Sequence, residues 1–103
     1  MPTYIGLANW TTEGMKTVKE TIKRGQDAAA LVGLLGGEIK ATYWTPGPYD
    51  IIAIAEMPDE ETLAKLSLAI TSRGTTRFTA MRAFSEDEMA RILAQLPEPG
   101  SAS

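Results

Sequence analysis

The chain of 103 residues contains neither cysteine nor histidine. Without cysteine it has no disulfide, no thiolate nucleophile, no iron–sulfur cluster and no thiolate zinc site. Without histidine it lacks the most common general base, haem ligand and transition-metal ligand. Catalysis would have to use Asp, Glu, Lys, Arg, Tyr, Asn or a cofactor taken up from outside. We expect no cofactor, and no metal because the carboxylates do not cluster in the sequence.

Excess positive charge and long apolar runs are also missing. The net charge is −3, which argues against nucleic acid and against anionic membranes as partners. No apolar run is long enough to cross a bilayer. The N-terminus from Met1 to Tyr4 has no basic region followed by an apolar segment, so it does not look like a secretory signal. We therefore expect a cytoplasmic protein.

Four segments have the composition and alternation of β-strands. Two of them are apolar on both faces, which predicts a central position in a sheet, because a strand with two apolar faces has to be covered on both sides. These two are 4–9 and 49–56, and the other two predicted strands are 38–45 and 75–83.

Helix signals lie between these strands and after the last one. Thr11 or Thr12 can cap a first helix, which Gly25 is expected to bend, because glycine is about 1 kcal/mol worse than alanine in a helix interior. Asp59 can cap a second helix. Ser85 and Glu88 match a capping box that opens a C-terminal helix.

The element order is therefore β-α-β-β-α-β followed by one more helix. Right-handed crossovers turn this order into a ferredoxin-like α+β fold, with a four-stranded antiparallel sheet and helices on one face. We assign residues 1–96 to this domain and 97–103 to a flexible C-terminal tail. Since the helices cover one face, a second copy is expected to cover the other. The candidate interface residues for this homodimer or higher homo-oligomer are Trp44, Ile52 and Ile54.

Three segments of this chain resemble the GYD domain family of small bacterial proteins. They are the turn Gly47-Pro48-Tyr49-Asp50, the opening segment 4–11 and the run 82–88, and the likeness spans roughly residues 2–96. The resemblance implies a dimeric α/β barrel in which two such sheets pack face to face. It implies no activity, because no biochemical function is established for that family.

Asp50 and Tyr49 stand at the start of a predicted central strand. Buried there, Asp50 could act as a general base with a raised pKa, or it could accept backbone hydrogen bonds in the turn or pair with an arginine. Tyr49 could orient a ligand or simply pack. The further candidate ligand-binding residues are Asn9, Trp10, Tyr43 and Arg82. Cofactor-free monooxygenases of the related barrel superfamily use these residue types, but so do cores and interfaces.

A group of basic residues (Lys40, Arg73, Arg77 and Arg82) with neighbouring hydroxyl side chains could bind an anion or form a solvated rim. The helix C-terminus beside them disfavours an anion. An RNA-binding sheet of this topology is excluded, because the central strands lack exposed aromatic residues.

Three functions remain open on the sequence. The first is an accessory protein that binds a small molecule in a pocket between sheet and helices. The second is a cofactor-independent monooxygenase or isomerase that uses Asp50, Tyr49, Asn9 and Arg82 around that pocket. The third is an assembly module without a pocket. A cavity of several hundred Å³ lined by Asn9, Tyr43 and Arg82 would keep the first two open, and a filled or collapsed cavity behind Tyr49 would favour the third.

Overall fold

A computed structural model describes residues 1–100 of the chain. Four strands form one sheet in the spatial order β2-β3-β1-β4, and every neighbouring pair is antiparallel. This order confirms the ferredoxin-like α+β fold, with the two doubly apolar strands in the centre. The strands are β1 Thr3–Trp10, β2 Glu38–Trp44, β3 Ile51–Glu56 and β4 Thr76–Ala83.

Four α-helices and one short 3₁₀ turn connect or follow these strands. The turn, Val18–Glu20, separates the first two helices, and the last helix follows β4. The helices are α1 Thr12–Lys16, α2 Thr21–Leu34, α3 Glu60–Thr71 and α4 Glu86–Ala94. The part of the predicted tail at 101–103 lies outside the described residues.

The predicted bend at Gly25 is wrong, because α2 runs through this position without interruption. The chain breaks earlier, at Thr17, whose φ of −119° and ψ of 34° are not helical. Arg24 holds this break in place by donating from Nη1 to the carbonyl and the hydroxyl of Thr17, both at 2.9 Å. These tertiary hydrogen bonds outweigh the small intrinsic cost of one glycine within a helix.

The predicted helix caps are confirmed. The Thr11 hydroxyl accepts from the Gly14 N–H at 3.1 Å, and the Asp59 carboxylate accepts from the Thr62 N–H at 2.7 Å. Ser85 and Glu88 form a complete capping box at the start of α4. Each cap satisfies N–H groups that have no partner inside the helix.

The two faces of the sheet differ in what covers them. Tyr4, Gly6 and Ala8 of β1 are buried on the face that α2 and α3 cover. There Tyr4 joins Val32, Met57 and Leu66 in the buried core. The alternate residues point to the opposite face, because side chains alternate along a strand.

That opposite face, which we call the open face, is largely apolar. In register across the sheet, Ile5 pairs with Ile54 and Met81, and Leu7 pairs with Ile52. Ile5, Leu7, Ile52 and Ile54 are half-buried by their neighbours within the sheet, and Met81 is exposed. The helices α2 and α3 lie on the other side of the sheet, so they contribute no cover to the open face.

Every residue of helix α4 except Glu88 is exposed. Its apolar residues Ile92, Leu93 and Leu96 are exposed, and the described chain measures 55 Å in its longest dimension against 29 Å and 21 Å in the other two. The radius of gyration of 16.5 Å exceeds the value of about 13 Å expected for a compact domain of this length.

Candidate functional site

A cavity of about 120 Å³ lies between the sheet and the helices α2 and α3. It exists because the helix-facing positions of the central strands carry very small side chains. Apolar residues of the two helices, among them Val32, Leu63 and Ile70, form its roof. The small residues that form its floor are Gly6, Ala8, Ala53, Ala55 and Ala80.

Arg24 and Arg73 are the charged residues that line the cavity, and its lining within residues 1–100 includes no carboxylate and no lysine. Arg24 is half-buried and donates from Nη2 to the Gly14 carbonyl at 3.2 Å, besides its two bonds to Thr17. Arg73 is exposed. Four threonines add hydroxyl groups to the lining: Thr21, Thr42, Thr75 and Thr76.

Trp44 lies beside the cavity, on the helix side of the sheet. Its indole Nε1 donates to the Thr21 hydroxyl at 3.0 Å, and its side chain is part-exposed. Trp44 therefore does not share a face with Ile52 and Ile54, the other two interface candidates. Tyr43, its neighbour in sequence, pairs with Ile52 on the open face.

Asp50 ties the β2–β3 turn to β1. Its carboxylate accepts from the Trp10 backbone N–H at 3.0 Å, and its own N–H donates to the Ala8 carbonyl at 2.9 Å. Its carbonyl accepts from the Thr45 N–H at 2.9 Å, while the Thr45 hydroxyl donates to the Tyr49 carbonyl. The Asp50 carboxylate thus has a structural hydrogen-bonding role in the turn.

The remaining candidates lie apart from one another. Asn9 pairs with Arg77 on the open face. The Trp10 indole N–H is buried and has no hydrogen-bond partner within residues 1–100. Arg82 lies at the opposite end of β4 from Arg77, where its guanidinium stacks over Phe84 at 4.6 Å from the ring centroid.

None of the six candidate ligand-binding residues lines the cavity. The fold distributes them over the turn, the open face and the junction between β4 and α4. The residues that do line it could have been anticipated in part, because glycine and alanine recur at alternate positions of the central strands. Nothing in the local sequence marks Arg24, whose position depends on tertiary contacts with Thr17 and Gly14.

The clearest electrostatic perturbation lies at the base of α4. The pKa of Glu88 falls from 4.5 to about 2, chiefly because its carboxylate accepts from the Ser85 backbone N–H and also from Arg82. On β2, the hydrogen bond and charge of Glu38, with the charge of Glu56, raise the pKa of Lys40. Both sites are solvent-accessible ion pairs, and neither belongs to the cavity.

These features define a small ferredoxin-like α+β protein with a cavity between sheet and helices and an apolar open face. The chain belongs to the GYD domain family, whose model matches residues 4–93.

A curated relative and a solved structure are similar to this chain, and both come from the bacterium Thermus thermophilus. The relative is named glutamine synthetase and cystathionine beta-lyase binding protein. It is 30% identical over 97 residues, covering 93% of this chain and 99% of the relative. The crystal structure is that of TTHA0845, at a TM-score of 0.54 and 23% identity, covering 82% of this chain and 95% of that one. The structural likeness supports the fold.

No helix within residues 1–100 is long and apolar enough to cross a membrane.

Proposed function

We propose that this protein is a homodimeric accessory protein that works by binding rather than by catalysis. The observation that carries the proposal is the 30% identity, over nearly the full length of both chains, to a protein named for binding two enzymes. The cavity lining is mainly apolar, which agrees with a binding role.

The apolar open face supports the homodimer. Ile5, Leu7, Ile52 and Ile54 form a continuous patch in the middle of the sheet. Contiguous apolar patches of this kind are rarely left in water on soluble proteins. A second copy that packs its own open face on this one would bury both patches with the same residues, as a two-fold interface requires. Sedimentation velocity at micromolar concentration tests this step, and a particle of 11.1 kDa would contradict it.

The partner enzymes we propose are those in the relative's name, glutamine synthetase and cystathionine beta-lyase, taken from the same organism as this chain. Biolayer interferometry with each purified enzyme, and with an unrelated oligomeric enzyme of similar size as control, tests the proposal. We expect saturable binding to at least one of the two and none to the control. Absence of binding to both at about 100 μM would contradict the proposed partners, since any affinity would then be weaker than about 5.5 kcal/mol.

We also propose that the cavity binds a small molecule. The support is its combination of a mainly apolar lining with a few polar groups, the usual composition of ligand sites. Its volume of about 120 Å³ is well below the several hundred Å³ of sites for drug-sized ligands, so the ligand must be small. Native mass spectrometry of the freshly purified protein tests for a bound molecule.

The alternative, a monooxygenase or isomerase that uses Asp50, Tyr49, Asn9 and Arg82, has no supporting observation. These side chains do not line one common cavity, and Asp50 and Arg82 already hold structural partners.

A further inference from the structure

We infer that the cavity ligand is a small organic carboxylate whose apolar body is about the size of a benzene ring. This inference rests on the proposal that the cavity binds a small molecule. It adds the chemical class of that molecule, which follows from the charge, the unused hydrogen-bond donors and the volume of the site.

The charge of the cavity is positive and uncompensated. Both charged lining residues, Arg24 and Arg73, are arginines. Neither forms an ion pair with a carboxylate among residues 1–100. Arg82 forms an ion pair with Glu88 at 2.8 Å, whereas Arg77 and Arg91, like the two cavity arginines, form no ion pair within residues 1–100. An anionic ligand would supply the missing counter-charge.

Arg24 is held in position and retains donors for a ligand. Its guanidinium makes three hydrogen bonds, two to Thr17 and one to the Gly14 carbonyl. A guanidinium has five N–H donors, so two remain. Its three acceptors are neutral carbonyl and hydroxyl oxygens, so none of them compensates the positive charge of the guanidinium. A planar group with two spare donors matches the two oxygens of a carboxylate.

The side chain of Arg73 does not hydrogen-bond to the carbonyls at the end of α3, although the residue follows this helix closely. Three carbonyls of the last turn already accept hydrogen bonds from backbone N–H groups: Leu68 from Ser72, Ile70 from Arg73, and Thr71 from Gly74. The carbonyls of Ser67 and Ala69 accept from the hydroxyls of Thr71 and Ser72. These five carbonyls are satisfied without the Arg73 guanidinium, which makes no hydrogen bond within residues 1–100.

The contacts of Arg24 lead to the segment that carries Arg73. Arg24 binds the Gly14 carbonyl, and Gly14 is packed so closely on the Thr75 carbonyl that an added Cβ would lie 2.0 Å from it. Thr75 is two residues from Arg73 and also lines the cavity. The lining near the Gly14–Thr75 contact thus includes Arg24 and lies two residues from the exposed Arg73, while the floor of glycine and alanine is apolar.

The volume limits the ligand body. An apolar cavity of about 150 Å³ holds benzene. The present cavity of about 120 Å³ admits a body of that class or slightly smaller, with the carboxylate outside the apolar part, at the arginines. Inorganic phosphate has no apolar body, so it would leave the floor unfilled.

Phenylacetate is a suitable probe, and phenylacetamide is its uncharged counterpart of the same shape. We expect calorimetry on the full chain to detect one phenylacetate per chain. Phenylacetamide and inorganic phosphate should each bind about tenfold more weakly or worse, because charge-assisted hydrogen bonds and the apolar body are each worth at least about that factor. Arg24→Gln and Arg73→Gln should each weaken the binding of phenylacetate by about fivefold to tenfold. Each should weaken the binding of phenylacetamide by less than about twofold. The matched control is Arg77→Gln, on the open face, which should change neither.

The outcomes separate this inference from the proposed function. Equal affinity for phenylacetate and phenylacetamide, with both blocked by Ala53→Val in the floor, would overturn the carboxylate class and leave the cavity as a ligand site. Phosphate binding as tight as that of phenylacetate would also overturn it. No binding of any probe up to about 10 mM, with no molecule seen by native mass spectrometry, would contradict both proposals. If Ala53→Val does not fold, Ala80→Val fills the floor from β4.

Discussion

Arg82 of β4 and Glu88 of α4 form an ion pair in which Nη2 of the arginine lies 2.8 Å from Oε2 of the glutamate. The other carboxylate oxygen of Glu88 accepts from the Ser85 N–H at 3.0 Å. Glu88 therefore closes the capping box and anchors the helix to the sheet with a single side chain. The apolar side chains of α4 are exposed. Within residues 1–100, the Arg82–Glu88 ion pair is therefore the main interaction that holds α4 against the rest of the domain.

The junction predicts an acid-sensitive α4. The pKa of Glu88 is lowered to about 2 in the folded state from an ordinary value of 4.5. Its contribution to stability is therefore complete above about pH 4.5 and is lost as the pH falls toward 2. We expect the amides of α4 to lose protection from hydrogen exchange in this range before those of β1 and β3.

Carboxyl NMR titration measures this directly, and a Glu88 midpoint near 4.5 would contradict the prediction. Glu88→Gln is the control, because glutamine can still accept from the Ser85 N–H but carries no charge. In that variant the loss of α4 protection between pH 4.5 and 2 should disappear.

Two glycine-to-alanine changes should have opposite effects. A Cβ at Gly14 would lie 2.0 Å from the Thr75 carbonyl oxygen, a backbone atom that cannot move without breaking its 3.0 Å bond from the Thr11 N–H. We expect Gly14→Ala to lower the free energy of unfolding by about 1–3 kcal/mol. Gly33 lies within α2 with nothing within 4 Å of the added Cβ, so Gly33→Ala should raise it by about 0.5–1 kcal/mol.

Urea denaturation of both variants provides the measurement. Equal effects of the two substitutions would show that α1 does not pack against the start of β4 as closely as the structure places it.

Removal of the Asp50 carboxylate should destabilise the turn between β2 and β3. Asp50→Ala leaves the Trp10 N–H without its acceptor, and we expect a loss of about 1–3 kcal/mol, as for other hydrogen bonds to charged groups. Asp27→Ala is the control, because within residues 1–100 the Asp27 carboxylate forms an exposed pair with Lys23 at 3.5 Å, and its removal should cost less than about 0.5 kcal/mol. If thermal or urea unfolding shows that both variants lose the same free energy of unfolding, the Asp50 carboxylate has no structural role in the turn.

A charge on the open face should dissociate the proposed homodimer. Ile52→Asp would place a carboxylate in the middle of the apolar patch, where pairing two copies would bury two like charges. The control is Leu68→Asp on α3, where the leucine is 71% exposed on the other side of the molecule. Light scattering should give a monomer for the first variant and a dimer for the second. If both variants are dimers, the dimer interface does not lie on the open face.

The sequence predicts the cavity far less well than the fold. Strands and helix caps are predicted from short-range patterns, such as the alternation in 4–9 or the spacing of Ser85 and Glu88. These patterns have the same meaning in any fold. The candidate site residues were chosen by type, at strand ends. Asp50 and Trp10 do meet, but as a carboxylate and a backbone N–H rather than as two functional side chains.

The sequence alone determined the order of the elements, the central position of β1 and β3, and the caps of three helices, because periodicity and capping are short-range properties. Only the tertiary structure decided that Thr17 rather than Gly25 interrupts the first helical segment. It also decided that Trp44 faces the helices and that Arg24 and Arg73 line the same small cavity. The first result rests on hydrogen bonds from Arg24 to a residue seven positions earlier, and the others on contacts between residues more distant in the chain; nearest-neighbour patterns encode neither.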